Sequence, residues 1–340
     1  DVEDETTFGY RTRLNISSSF TGNDKLRIQL EEKNLGTYGN DRTGTEMTRI
    51  DKEDSNFSYN NLGISKLNYD FKPSKNINAS VWATGAGMDD FLDADKAKVQ
   101  TTRFAKRNPL IHRSAYEDQG IGATIKFNKN ANLQLGYTVD GGNNVGDSTA
   151  ASAGQGLFGR YSAGVQANFK VSGVKLAASY VNSYGTGENF SNGTGSALAS
   201  QIGSDKVSTD AWGVQASTKL GKKTKIGAWY GNSTSNDKLS ADEITLENWA
   251  VFASIKDFAK KGNVLGVTFG MPPKVTGASG TSTTDNASLK GTSYLLDVTY
   301  RHKVTDRLSI QPGFFAVFNP EHNSDNDTIY GAVLNTTFKF

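Results

Sequence analysis

The chain has 340 residues, a formal net charge of +2 and no cysteine. Balanced charge excludes the broad basic field of a nucleic-acid binder, and the lack of cysteine excludes disulfides, thiolate catalysis and sulfur metal ligands together. Glycine (36), phenylalanine (18) and tyrosine (13) are plentiful while proline (6) is scarce, which favours strands and tight turns, and no run reaches the ~18 apolar residues of a membrane-crossing helix.

The opening "DVEDETTFGY" is acidic and polar, unlike a secretory leader, so Asp1 is expected to follow a processed or truncated segment. From Tyr10 onward the chain alternates. Tyr10, Leu14, Ile16 and Phe20 share one face, with Arg11, Arg13, Asn15 and Ser17 on the other. After "TGND", Leu26, Ile28 and Leu30 alternate with Lys25, Arg27, Gln29 and Glu31. The same period-2 pattern recurs as hairpins around the turns "KPSKN", "NKNAN", "VSGV", "GKKT", "AKKGN" and "VTDR", and a single last strand, "YGAVLNTTFKF", ends on Phe340. Each strand has about 9–11 residues, the length of a tilted transmembrane β-strand. Short turns alternate with long loops at 33–60, 86–118, 140–157, 185–209, 234–244, 272–291 and 319–327. That two-sided regularity predicts an all-β, antiparallel transmembrane barrel over residues 1–340, with long external loops and short periplasmic turns. A soluble sandwich would need a second sheet to cover the apolar face.

Fifteen strands are legible. Bacterial single-chain barrels have even strand numbers, and an open edge in lipid leaves backbone groups unsatisfied at several kcal/mol each. A sixteenth strand is therefore expected upstream of Asp1. The alternative is that residues 1–9 fold back as a partial strand.

The loop "AGMDDFLDADKAKVQTTRFAKRNPLIHRSAYEDQ" (86–119) is the candidate pore constriction. Its acids come first, Asp89, Asp90, Asp93 and Asp95, and its bases follow, Lys96, Lys98, Arg103, Lys106, Arg107 and Arg113. Acids early and bases late complement a helix dipole, so a short helix is expected over about 91–106, stopped by Pro109. It is either a solvated surface helix or a segment folded into the pore, where charged side chains select ions by sign. Parity assigns Arg11, Arg13, Arg27, Glu31, Lys126, Arg160, Asp297 and Arg301 to the lumen wall, which leans basic, whereas Asp41, Asp51, Glu53, Asp54, Asp237 and Asp325 fall in external loops. A basic wall favours anions and acidic mouths concentrate cations, so the two pull in opposite directions.

Trp82 and Trp229 also fall on the lumen face and leave a sugar-stacking track open, while Tyr161, Tyr180, Trp212, Tyr230, Trp249 and Tyr300 near strand ends fit interfacial girdles. His112, His302 and His322 are too scattered for a metal site, and no acyl-transfer motif surrounds a serine. No cofactor and no enzyme activity are expected.

The stretch "FGYRTRLNISSSFTGNDKLRIQLE", the hairpin series and the ending "TTFKF" resemble cyanobacterial outer-membrane porins of the carbohydrate-selective (OprB-like) family, often labelled iron-uptake porins. The resemblance covers essentially the whole chain. It implies a sixteen-stranded barrel that trimerises in the outer membrane and passes inorganic ions, including iron, and small sugars. It further implies an upstream surface-layer-homology domain that grips peptidoglycan, absent from this chain. Carbohydrate selectivity and a mainly structural, plugged barrel are the alternative functions. Phe338 and Phe340, outward on the last strand, resemble the signal read by the outer-membrane insertion machinery.

Overall fold

A computed structural model describes residues 6–53, 62–113, 116–141, 156–185, 193–200, 206–240, 242–280 and 291–340. Asp54, expected in an acidic mouth, lies outside them. The strands are β1 (Arg11–Ser18), β2 (Lys25–Lys33), β3 (Gly63–Ser74), β4 (Ile77–Thr84), β5 (Gln119–Asn128), β6 (Ala131–Val139), β7 (Tyr161–Val171) and β8 (Val174–Gly185). They continue with β9 (Val207–Leu220), β10 (Thr224–Asp237), β11 (Glu243–Lys256), β12 (Val264–Ser279), β13 (Tyr294–Lys303), β14 (Leu308–Phe318) and β15 (Ile329–Phe338). They form one sheet in strict sequence order, every neighbouring pair antiparallel. Such an order needs only hairpins, which is what the turn-rich sequence supplies. Between β7 and β8, for example, Val171 pairs with Val174 across Ser172 and Gly173, both at positive φ (48° and 86°). This is the geometry that matches a tight turn to strand twist.

The sheet is inside out relative to a soluble protein. Leu14, Ile121, Leu135, Phe169, Leu176, Trp212, Val214, Val251, Phe314 and Leu334 are exposed on its outer face. Their alternate neighbours Gln134, Gln166, Ser179, Gln215, Ser254, Thr268 and Asp297 are buried on the inner one. Outward aromatics pair along the ends. Toward the long loops Tyr137 stacks on Tyr161, and Phe269 stacks on Tyr294 beside Trp249. Toward the short turns Phe20 meets Tyr69, Tyr69 stacks on Phe71, and Phe258 meets Tyr300. Two aromatic bands flanking an apolar belt are the surface of a membrane barrel.

β9–β12 have 14–16 residues, longer than expected. β12 takes in residues 272–279, where a loop was expected; Pro272 and Pro273 lie opposite a register irregularity between Glu247 and Trp249 of β11, where a strand tolerates residues without an N–H. Among the described residues β1 pairs only with β2 and β15 only with β14.

The apolar core lies inside the sheet. Met47, Ile50 and Phe104 from loops pack on Trp229, Ala250, Phe252, Leu295 and Phe315 from β10, β11, β13 and β14. A further group joins Met88, Leu92 and Ile111 to Val181 and Ala211. Two loops, 34–53 and 86–113, therefore occupy the concave side, and the sheet is curled around them.

Candidate pore constriction

The 86–118 loop leaves β4 and is drawn shut at its neck. Asp118 Oδ1 accepts from Thr84 Oγ1 (2.5 Å) and the Gly85 N–H (3.0 Å), and the Ala86 N–H donates to the Asp118 carbonyl (2.7 Å). The helix expected over 91–106 is not formed. Met88–Phe91 make one helical turn, Phe104–Lys106 one 3-10 turn, and Pro109–His112 another helical turn. Pro109 starts that last turn, with Asn108 capping the Leu110 N–H (3.1 Å), the position where a missing N–H costs nothing.

Between the turns, residues 92–102 cross the interior without forming a helix. Backbone inside a barrel must still find partners, and the lumen-facing side chains provide them strand after strand. The Asp93 N–H donates to Gln134 of β6 (3.0 Å), and the Asp93 carbonyl accepts from Gln166 of β7 (2.9 Å) and Gln215 of β9 (2.6 Å). The Lys98 N–H reaches Ser254 of β11 (2.7 Å). The Thr101 and Thr102 N–H groups converge on Asp297 Oδ2 of β13 (2.9 and 2.7 Å), and Gln311 of β14 reaches the Gln100 carbonyl (3.4 Å). Asp297 thus faces inward as expected but is covered by the loop, so it docks the loop instead of lining the passage.

Room for this crossing comes from inward glycines. A Cβ at Gly122 would lie 2.2 Å from Phe91, at Gly136 2.8 Å from Phe91, and at Gly164 2.8 Å from Met88. At Gly213 it would meet Ile111 (2.7 Å), at Gly266 the Val99 carbonyl (2.1 Å) and at Gly313 Thr101 (1.8 Å). Nothing in the charge pattern of the loop marks these positions, but their parity does, since each follows or precedes an outward apolar residue.

The 34–53 segment, expected as an external acidic loop, also turns inward. The Arg103 N–H donates to the Arg49 carbonyl (2.7 Å) and the Asp51 N–H to the Thr101 carbonyl (2.9 Å), with Ile50 bridged to Thr102. This short ladder places Asp51 on Lys106 (2.5 Å) and sets Arg49 between Glu46 (3.0 Å) and Glu53. Asp51 and Glu53 are therefore not mouth residues. At the outer rim Glu321 ties the same segment down, accepting from Thr45 Oγ1 and from the Ala197 N–H (2.6 Å).

The structure divides the predicted constriction residues. Asp89 contacts Arg107; Lys106, Arg107 and Arg113 gather around Asp51 and Asp89, and Arg103 lies instead by Arg49, Glu53 and Glu117. Asp90 pairs with Lys66 of β3 (2.9 Å) and Asp95 with Lys225 of β10, so both are drawn to the wall. Asp93 lies with Asp95 on the short-turn side of the loop. Arg107 and Arg113 are buried. Burial raises the Asp51 carboxyl, but Lys106, Arg113 and Arg107 outweigh it and hold the group below its usual value. Burial brings Lys106 down to about 8 against the opposing pull of Asp51. It also brings His112 to about 4, so the ring is neutral and its Nε2–H donates to Gln166 Oε1 (3.0 Å).

On the wall, Arg13 pairs with Glu31 across the β1–β2 register, Arg160 with Asp140 (3.2 Å), and Arg27 lies over Trp82 (5.6 Å). Arg11 is half-buried, Lys126 exposed, and Arg301 half-buried near the short-turn end. Trp82 and Trp229 face inward but are only 6% and 3% exposed, beneath Phe91 and Phe104. They anchor the loop, and the sugar-stacking track read from the sequence is not available there.

An antiparallel sheet that turns apolar side chains outward and folds a long loop into a polar interior defines an outer-membrane channel barrel of the porin class. A family model described as carbohydrate-selective porin, OprB family, matches residues 3–340, and the chain belongs to that family. Two uncharacterized cyanobacterial proteins are similar to it. One, from Synechocystis sp., is 30% identical over 99% of this chain, and one, from Nostoc sp., is 27% identical over 98%. The chain spans 64% and 61% of their respective lengths. Among solved structures, OprB of Pseudomonas putida is similar with a TM-score of 0.67 at 14% identity, covering 100% of this chain and 90% of that one. The outer membrane channel DcaP of Acinetobacter baumannii has a TM-score of 0.58 at 12% identity over 97% and 84%. A trimer form of OmpT from Vibrio cholerae has a TM-score of 0.53 at 10% identity over 99% and 92%. At these identities the likeness is one of fold.

Proposed function

We propose that the chain forms a passive channel for small hydrophilic solutes, with uncharged hydroxyl-rich molecules such as sugars passing as well as ions. The carrying observation is the pairing of charge at the constriction: Asp51 with Lys106, Asp89 with Arg107, Asp90 with Lys66 and Asp95 with Lys225. A ring of one sign selects ions; paired charges weaken that field and leave hydrogen-bonding groups that serve a sugar. Asp51, Asp89, Asp90 and Asp95 are engaged by bases, while among the described residues Asp93 has no ion pair and no cluster of carboxylates or histidines is placed to hold a metal ion, so selective iron passage has no support in the pore. The test is liposome swelling with neutral sugars of rising size beside single-channel recording in KCl. Swelling by a monosaccharide together with steady current supports the reading. Current without swelling returns the function to ions alone.

A second reading, a mainly structural barrel tethering the outer membrane to peptidoglycan through a further domain, is favoured by the dense packing of Met88, Leu92, Phe104 and Ile111 inside the sheet. Absence of both current and swelling supports it. Assembly as a homotrimer is proposed on likeness to the OmpT trimer form, and chemical crosslinking in native membranes checks it.

A further inference from the structure

Below the crossing loop, at the short-turn end, lies a cavity of about 370 Å³ whose lining carries lysine and no acid. Lys96 and Lys98 come from the loop, Lys219, Lys225 and Lys256 from β9, β10 and β11, and Lys222 and Lys223 from the turn between β9 and β10. Parity alone brings the strand lysines inward. Lys219 precedes outward Leu220, Lys225 precedes outward Ile226, and Lys256 follows inward Ser254 by two. Lys219 and Lys225 are also direct partners in the β9–β10 register. Antiparallel partners of like charge repel, and nothing in packing demands lysine at a water-filled rim.

Two of the seven have acids. Lys225 meets Asp95, and Lys223 lies 3.9 Å from Asp257. Lys96, Lys98, Lys219, Lys222 and Lys256 have no ion pair among the described residues. Burial, with Lys256 and Arg301 nearby, lowers Lys98 against the weaker opposing pull of Asp257, and burial lowers Lys96 although Asp89 opposes it, so the lysines at the cavity outnumber the acids near them. The floor is the loop itself: the Lys225 ammonium also reaches the Lys96 carbonyl (3.3 Å), so the cavity opens on the lumen and not on the lipid face.

We infer that this lysine-lined cavity at the inner mouth is a binding site for a multivalent oxyanion, a phosphate or the phosphoryl group of a small solute. Ammoniums are point charges with rotatable donors and suit tetrahedral oxyanions without a fixed fork geometry. A monovalent anion meets one or two of them at a time and is screened over about 8 Å at physiological salt. An anion of several charges engages the group at once. The site rests on the channel reading only for its route of access.

The test uses inorganic pyrophosphate as probe and the whole barrel folded in detergent, titrated calorimetrically at about 0.15 M salt. The expected result is saturable binding that chloride does not reproduce. Replacing Lys96, Lys98, Lys219 and Lys256 by glutamine weakens it at least about tenfold, each exposed pair contributing roughly twofold to fivefold. Lys72→Gln with Lys75→Gln, which removes charge from the exposed β3–β4 turn, leaves affinity unchanged. Absence of pyrophosphate binding, or equal weakening in both variants, overturns the proposal. So does a four-lysine phenotype seen only as lost binding to anionic-lipid nanodiscs, which would assign the lysines to headgroups. The binding arm does not need an open pore: binding without current would defeat the channel reading and leave the site standing, whereas current blocked by pyrophosphate from the short-turn side supports both.

Discussion

Lys106 is where protonation and pore charge meet. It sits near 8 because burial opposes its charge, while Asp51 and Asp89, held low by surrounding bases, stay ionised throughout the range where it titrates. Below that value the Asp51–Lys106 pair is intact. Above it the ammonium is lost and the acids remain, so the constriction becomes more negative as pH rises. Reversal potentials in a KCl gradient should therefore shift toward cation preference between about pH 6 and about pH 10. Lys52 also lies near 8, so the measurement belongs in a Lys52→Gln background. Lys106→Arg, which stays charged, should flatten the remaining shift. At Asp297 the expected effect is mechanical. Asp297→Ala strands the Thr101 and Thr102 N–H groups, at about 1–3 kcal/mol per buried unsatisfied donor, and noisier single-channel current with a lower melting temperature is the outcome. Asp297→Asn keeps an acceptor and should lose less.

At the scale of elements, the 86–118 loop shows what one sequence discloses and what it hides. Its inward placement follows from loop length and order, and its acids and bases were legible. The helix was not there because dipole logic treats the segment as though its own backbone were its only partner. Inside the sheet Gln134, Gln166, Gln215, Ser254 and Asp297 offer donors and acceptors from the wall, so backbone groups of residues 93–102 find partners without a helix. The inward fold of 34–53 was hidden for a related reason. Asp51 and Glu53 read as solvent-facing acids until Lys106 and Arg49 are known to lie beside them. The glycine seats were written in the strand parity but need the loop's position to acquire meaning. Gly122→Leu should drive Phe91 off the wall, costing about 1–3 kcal/mol as overpacking does and raising conductance as the loop lifts. Ile121→Val, one residue away on the outer face, should change neither.

Across the whole molecule, period-2 alternation carried the architecture: fifteen strands, their order and their two faces were all readable because lipid and lumen impose opposite demands on neighbouring residues. What alternation does not report is depth. Val251 lies mid-strand in β11 and Leu220 at the end of β9. Val251→Arg should destabilise folding into bilayers by about 2–4 kcal/mol, whereas Leu220→Arg at the rim should cost about 0–1 kcal/mol. Equilibrium unfolding in lipid vesicles measures both, and equal costs would contradict the placement of the apolar belt.

The crossing loop has one more consequence, for the order of events during assembly. Residues 93–102 belong to the first third of the chain, yet their partners on β13 and β14 lie 195–211 positions later. Closing so wide a separation is slow, and it cannot begin until those strands are in place. The barrel wall can therefore be laid down hairpin by hairpin around a wet, unobstructed interior. The passage is narrowed last, by a segment that has waited since early in synthesis for the far wall to arrive.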